Sequence, residues 1–124
     1  MKLKRLGFFR ELRHGLPTGP CLRETIQEGK QQADTARIAA YLQSGKIFIA
    51  CPGLVRDVLK EGGPFIGSPH IRTDGVWAWP SDLVYYVTHY SVALPREFLE
   101  HMERHGWRLP PAEHIPLASL ELED

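Results

Sequence analysis

The stretch Thr73–Tyr90, TDGVWAWPSDLVYYVTHY, decides the fold. It holds two of the three tryptophans and three of the four tyrosines, so much of the chain's large apolar area is concentrated there. Asp74-Gly75 predicts a two-residue hairpin turn with positive φ at both positions. Val76-Trp77-Ala78-Trp79 alternates small and large, which places both indoles on one face of a strand. Pro80 has no N–H for a ladder, so the strand ends there, and proline suits a first helical turn. Asp82 falls where a negative charge favours a helix start. Leu83, Val84, Val87 and Tyr90 then recur at helical spacing, predicting a helix over about 81–90.

Outward from this stretch the elements are read in both directions. Upstream, Asp34 as N-cap, the face formed by Ile38, Tyr41 and Leu42, and Gly45 as a C′ glycine predict a helix over 34–44. The apolar run Ile47-Phe48-Ile49-Ala50-Cys51 predicts a buried strand. The pairs Leu54/Val58 and Val55/Leu59 predict a short helix ending at Gly62-Gly63, with loop over 64–69. His70–Thr73 is the first strand of the hairpin. Downstream, Pro95, Glu97, the inward face Phe98, Leu99 and Met102, and Gly106 predict another helix.

The ends are less regular. Phe8, Phe9 and Leu12 suggest one helical turn, Gly15, Pro17, Gly19 and Pro20 break it, and Leu22 with Ile26 suggests a second short helix. Residues 109–124 carry three prolines and four acids with no Lys or Arg, the composition of an extended or frayed tail. The expected architecture is a single α+β domain over 1–124. A small antiparallel sheet of about three strands has its helices packed mainly on one side.

Composition excludes several functions. With 43% apolar and 24% charged residues over 124 positions, the chain has the make-up of an ordinary globular domain. No run nears the ~18 apolar residues that a membrane span needs. The opening MKLKRLGFFRELRHG is basic, but Arg10, Glu11 and Arg13 interrupt any secretory apolar core, so a cytoplasmic location is expected. Net charge is zero, yet residues 1–30 carry +4 and the remainder −4. The basic arm either docks on the acidic remainder or meets an acidic partner. A nucleic-acid face over the aromatic stretch is excluded, because no Lys or Arg lies between Gly75 and Arg96.

Candidates for chemistry are few. His101 and His105 share a helix face, but neither a glutamate directly after the first nor a nearby third ligand completes a zinc pattern. A solvated face, EHMERH, is the simpler reading, and neither metal nor cofactor is expected. Cys21 and Cys51 have no metal spacing and read as reduced thiols. A nucleophilic cysteine needs a histidine base, which His14 or His70 would have to supply across the fold. An enzyme or small-molecule binder built from such scattered His and Cys residues is the alternative reading. No acid pair is set apart as acid and base. The aromatics are the sharper signal, since Tyr and Trp anchor interfaces at low entropic cost. Trp77, Trp79, Asp82, Tyr85 and Tyr86 are therefore the expected protein-binding residues, with self-association into a homodimer as another use of the same region.

The segments YLQSG, TDGVWAWPSDLVYYV and LPREF, together with the opening GFFRELRHGLPTGPCLRE, resemble small bacterial proteins that include immunity proteins of polymorphic toxin systems. The motifs are turn, strand and cap residues and span about four fifths of the chain. The resemblance implies a cytoplasmic, non-enzymatic protein that binds and neutralises one toxin domain. Asp82, Glu97, Glu100 and the C-terminal acids would then face a basic toxin surface.

Overall fold

The computed structural model describes residues 2–12, 14–28, 35–111 and 115–122. Trp77 and Trp79 sit on β6 (Trp77–Pro80), and their side chains, two residues apart, do enter one core. Phe98 is the centre of that core. Its ring meets Tyr41, Trp77 and Trp79 edge-on, with centroids 5.9, 5.3 and 5.9 Å away. This is the geometry that aromatic quadrupoles favour. The Trp79 indole N–H is spent on the carbonyl of Leu42 at 3.1 Å, so the ring is buried without an orphaned donor.

In chain order the elements are β1 (Lys2–Arg5), α1 (Leu22–Glu28), α2 (Thr35–Ser44), β2 (Lys46–Ile49), β3 (Val55–Arg56), β4 (Phe65–Gly67), β5 (Ile71–Thr73) and β6. There follow α3 (Leu83–Tyr90), α4 (Arg96–Arg104), a 3₁₀ turn (Leu117–Ser119) and β7 (Glu121–Leu122). The fold is α+β, but the sheet has five strands rather than about three, in the order β2-β5-β6-β1-β7, and curls into a half-barrel. The expected antiparallel trio β2-β5-β6 is present. Two further strands add to it in parallel: β1 beside β6, pairing Lys4 with Trp77, and β7 beside β1, pairing Leu3 with Leu122. The alternation of β1, with Leu3 buried between exposed Lys2 and Lys4, is a strand signal only four residues long.

Both faces of the sheet are covered. One carries the tryptophans and takes α2, α3 and α4. The other carries Leu3, Ile71 and Ala78, and is closed by Phe8, Ile115 and Leu120. The described part of the C-terminal segment is thus docked, not frayed. Phe8, Phe9 and Leu12 are buried as expected, but in a series of turns and not a helical turn.

Several local expectations are corrected. The Asp74-Gly75 turn has positive φ at Gly75 alone, and the ladder runs one step further, from the Asp74 N–H to the Trp77 carbonyl. Asp74 is therefore freed from turn chemistry at φ > 0, and its buried carboxylate takes up the turn's amides instead. Pro80 ends β6 and the helix begins only at Leu83. The run at 47–49 is an edge strand with Ile47 and Ile49 exposed, so it is not a buried one. The helix expected over 53–62 is instead a hairpin of β3 with β4, which also occupies the expected loop 64–69. Asp57 decides against the helix: its carboxylate accepts from the Leu59 N–H and from the Tyr85 and Tyr90 hydroxyls, which holds the chain in a turn after β3. The Asp34 cap lies outside the described residues.

Gly45 has neither a positive φ nor a C′ role. A Cβ there would lie 2.6 Å from Cζ2 of Trp79, so glycine is required by the close approach of the indole. Gly45→Ala is expected to cost about 1–3 kcal/mol through overpacking. Urea unfolding measures this, and an unchanged midpoint would show that the indole does not confine the backbone.

Candidate functional site

Asp82 follows β6 and is the N-cap residue of α3. Its main-chain carbonyl accepts from the N–H groups of Tyr85 (3.1 Å) and Tyr86 (3.4 Å), but its carboxylate caps nothing on the helix. The side chain turns instead to His14, whose Nε2 lies 3.0 Å from Oδ1. Because an ionised carboxylate only accepts, Nε2 is the donor. The other two polar atoms of the pair, His14 Nδ1 and Asp82 Oδ2, are buried and have no hydrogen-bond partner among the described residues. The Asp82 side chain is 1% exposed and that of His14 16%.

His14 reaches this position because the described residues between 6 and 20 fold back in a series of turns. Arg10 N–H bonds the Pro20 carbonyl, and Leu16 N–H the Phe8 carbonyl. At Gly15 a Cβ would lie 1.8 Å from the Phe9 carbonyl oxygen, so the glycine after His14 is a steric necessity. Glu11 closes the segment on α1. Burial pushes its carboxyl pKa up, but the N–H groups of Leu22 and Arg23 and the Cys21 thiol outweigh this and hold it below the ordinary value.

His14 and Asp82 floor a cleft of about 300 Å³ whose walls are Leu12 and the β3–β4 hairpin, through Leu54, Val55, Val58 and Phe65, with Arg56 beside them. His14, Leu54 and Val55 also line an adjoining cleft of about 410 Å³. The hairpin is fixed to α3 by a second carboxylate. Asp57 Oδ2 accepts from the hydroxyls of Tyr85 at 2.9 Å and Tyr90 at 2.5 Å, while Oδ1 accepts from the Leu59 N–H at 2.8 Å. Tyr86 adds its hydroxyl as acceptor for the Val58 N–H at 3.0 Å. Burial raises the Asp57 pKa, but the Tyr90, Leu59 and Tyr85 hydrogen bonds outweigh it and hold the carboxyl below its ordinary 3.8. The same bond to Asp57, with burial behind it, pushes Tyr90 up to about 12.

The residues expected to bind a partner are mostly turned inward. Trp77, Trp79, Asp82 and Tyr86 are buried, and Tyr85 is half-buried with its hydroxyl on Asp57. Of the acids expected to face a basic surface, Glu97 pairs with Lys4, Glu100 with Arg96 at 3.2 Å, and Asp82 with His14. The Lys4–Glu97 pair is one point at which the basic arm docks on the acidic remainder. His101 is not on a solvated face. It is buried, with Nε2 2.9 Å from Asp74 Oδ2, while the exposed His105 bonds the His101 carbonyl through Nδ1 at 2.7 Å.

Among the described residues no group of three or more His, Cys, Asp or Glu is placed to hold a metal ion. Both cysteines are free; the Cys21 thiol contacts Glu11, and Cys51 meets His70 only through its backbone N–H, 2.9 Å from Nδ1. The His14–Asp82 pair escaped the sequence reading because its members lie 68 residues apart. Asp82, with an apparent role as a helix-start acid, offered no reason to look for a second one.

Asp57 makes stability depend on pH with a definite sign. Its folded pKa lies below the unfolded value near 3.8, so the stability it supplies is present above that value and lost as pH falls through the folded pKa. Asp57→Asn is expected to be less stable than the parent at pH 7 and to lose less on acidification. Urea unfolding at neutral and acid pH tests this; equal acid sensitivity in both proteins would remove Asp57 from the account.

No protein-family model, curated protein or solved structure matches the chain. No helix among the described residues is long and apolar enough to cross a membrane.

Proposed function

We propose that this chain is a non-enzymatic protein-binding module that docks its partner on the apolar run from Ile47 to Phe65. The observation that carries the reading is where exposed apolar area remains. Among the described residues, Ile47, Ile49, Leu54, Val58 and Phe65 account for five of the six exposed large hydrophobic side chains, with Leu54 59% and Phe65 55% exposed. The aromatics, which dominate the composition, are spent on the core. Exposed apolar side chains gathered in one segment, two of them on β2 and three on or beside the hairpin that Asp57 ties to α3, have the character of interface anchors.

Two features define the partner. β2 is a terminal strand of the sheet, and an edge of this kind accepts an added strand from another chain. Around the apolar run stand exposed Lys46, Arg56 and Lys60 against Glu61, so an apolar surface ringed by acids is the complement. This reverses the charge expected from the C-terminal acids. The resemblance to immunity proteins makes a toxin domain the specific partner, neutralised in the cytoplasm by occlusion of its working surface.

Affinity capture from the native host, mass spectrometry and reconstitution with the purified partner test the proposal. The parent is expected to bind one dominant protein. A Leu54→Asp, Phe65→Asp variant with an unchanged circular dichroism spectrum is expected to bind it about tenfold or more weakly. Equal affinity in the folded variant would remove the apolar run as the interface. A partner that is a second copy of this chain would replace neutralisation with self-association.

A further inference from the structure

We propose that the cleft floored by His14 and Asp82 is a binding site for a small organic amine or amidine, an N–H-bearing head on an apolar body. The argument starts from Asp82. An aspartate at a helix N-cap normally turns its carboxylate onto the first-turn amides. Here the Asp82 backbone is already helical (φ −79°, ψ −7°), so the carboxylate leaves those amides uncapped; it is almost wholly buried and keeps Oδ2 without a donor among the described residues. A buried carboxylate oxygen left unpaired is costly, and the fold has the means to avoid this. Asp57 and Asp74, the other two buried aspartates among the described residues, have donors on both oxygens.

The head chemistry follows from the orphaned atoms. Oδ2 can only accept, so an anionic ligand meets repulsion there, whereas an N–H group finds a charge-assisted hydrogen bond. His14 Nδ1 is the second orphaned atom of the pair. The acceptor Oδ2 matches an N–H group of an ammonium or amidinium. The body chemistry follows from the walls. Leu12, Leu54, Val55, Val58 and Phe65 present an apolar surface above the polar floor, in a volume at the small end of ligand pockets. Arg56 lines one side of the cleft, where its guanidinium stacks 3.9 Å from the centroid of Phe65 and donates to the Gly63 carbonyl at 3.0 Å.

Titrating the intact chain with benzylamine and benzamidine, followed by NMR of the His14 ring and the Leu54 and Val58 methyls, tests the assignment. Both probes are expected to give saturable shifts at these groups, and benzoate and benzyl alcohol to bind about tenfold or more weakly. Asp82→Asn is expected to weaken amine binding by about tenfold or more. Should that variant fail to fold, Val58→Trp fills the cleft from an exposed turn and is expected to abolish the shifts. The proposal is overturned by the absence of saturable shifts at His14, by benzoate binding as well as benzamidine, or by undiminished binding in a folded Asp82→Asn or Val58→Trp protein.

Discussion

The carboxylate of Asp74 is the point on which the rest of the structure depends. Oδ1 accepts from the N–H groups of Val76 (2.9 Å) and Trp77 (2.8 Å), which closes the hairpin tip. Oδ2 accepts from the Tyr41 hydroxyl at 2.6 Å and from His101 Nε2 at 2.9 Å. One buried charge thus joins the β5–β6 turn to α2 and to α4. Each bond to an ionised group contributes about 1.5–3 kcal/mol, and removing the shared acceptor would strand all of its donors in the core. Burial and the neighbouring carboxylate both raise the Tyr41 pKa, so the hydroxyl stays a donor. The aromatic cluster around Phe98 then fills the space that these three tethers enclose.

A second network repeats the device on the opposite flank. Asp57 gathers Tyr85, Tyr90 and the turn of the β3–β4 hairpin, so the tyrosines of α3 serve as struts for a hairpin that has almost no core of its own. That arrangement accounts for the unusual distribution of apolar area. The aromatic side chains stabilise the molecule from within, and smaller aliphatic side chains with Phe65 are left on its surface.

Legibility followed the reach of the interactions. The hairpin at 71–80, the helices α2, α3 and α4, and the shared face of Trp77 and Trp79 are set by local pattern and were readable to within a few residues. What escaped depends on partners distant in sequence. β1 and β7 are too short to signal on their own: β1 is held between β6 and β7, and β7 pairs with β1 at the end of the sheet. The 53–62 run shows helical spacing in Leu54/Val58, yet Asp57, Tyr85 and Tyr90 decide its conformation. Gly45 looked like a helix terminator when an indole had claimed its space. The candidate cleft was hidden for the same reason, since Asp82 had a sufficient local explanation and His14 had none.

The position of β1 has a consequence for how the chain is made. It lies in the sheet between β6 and β7, yet it is the first of the three to leave the ribosome. Its neighbours are Trp77–Pro80 and Glu121–Leu122, so the ladder closes only after more than a hundred further residues have been made. Pairing over such separations is slow, and an early strand waiting for its partners is open to wrong ones. The lysines and arginine of β1 answer that hazard, because charge on an unpaired strand discourages association with other chains. The basic opening of the sequence thereby protects a strand during the interval before its own sheet exists.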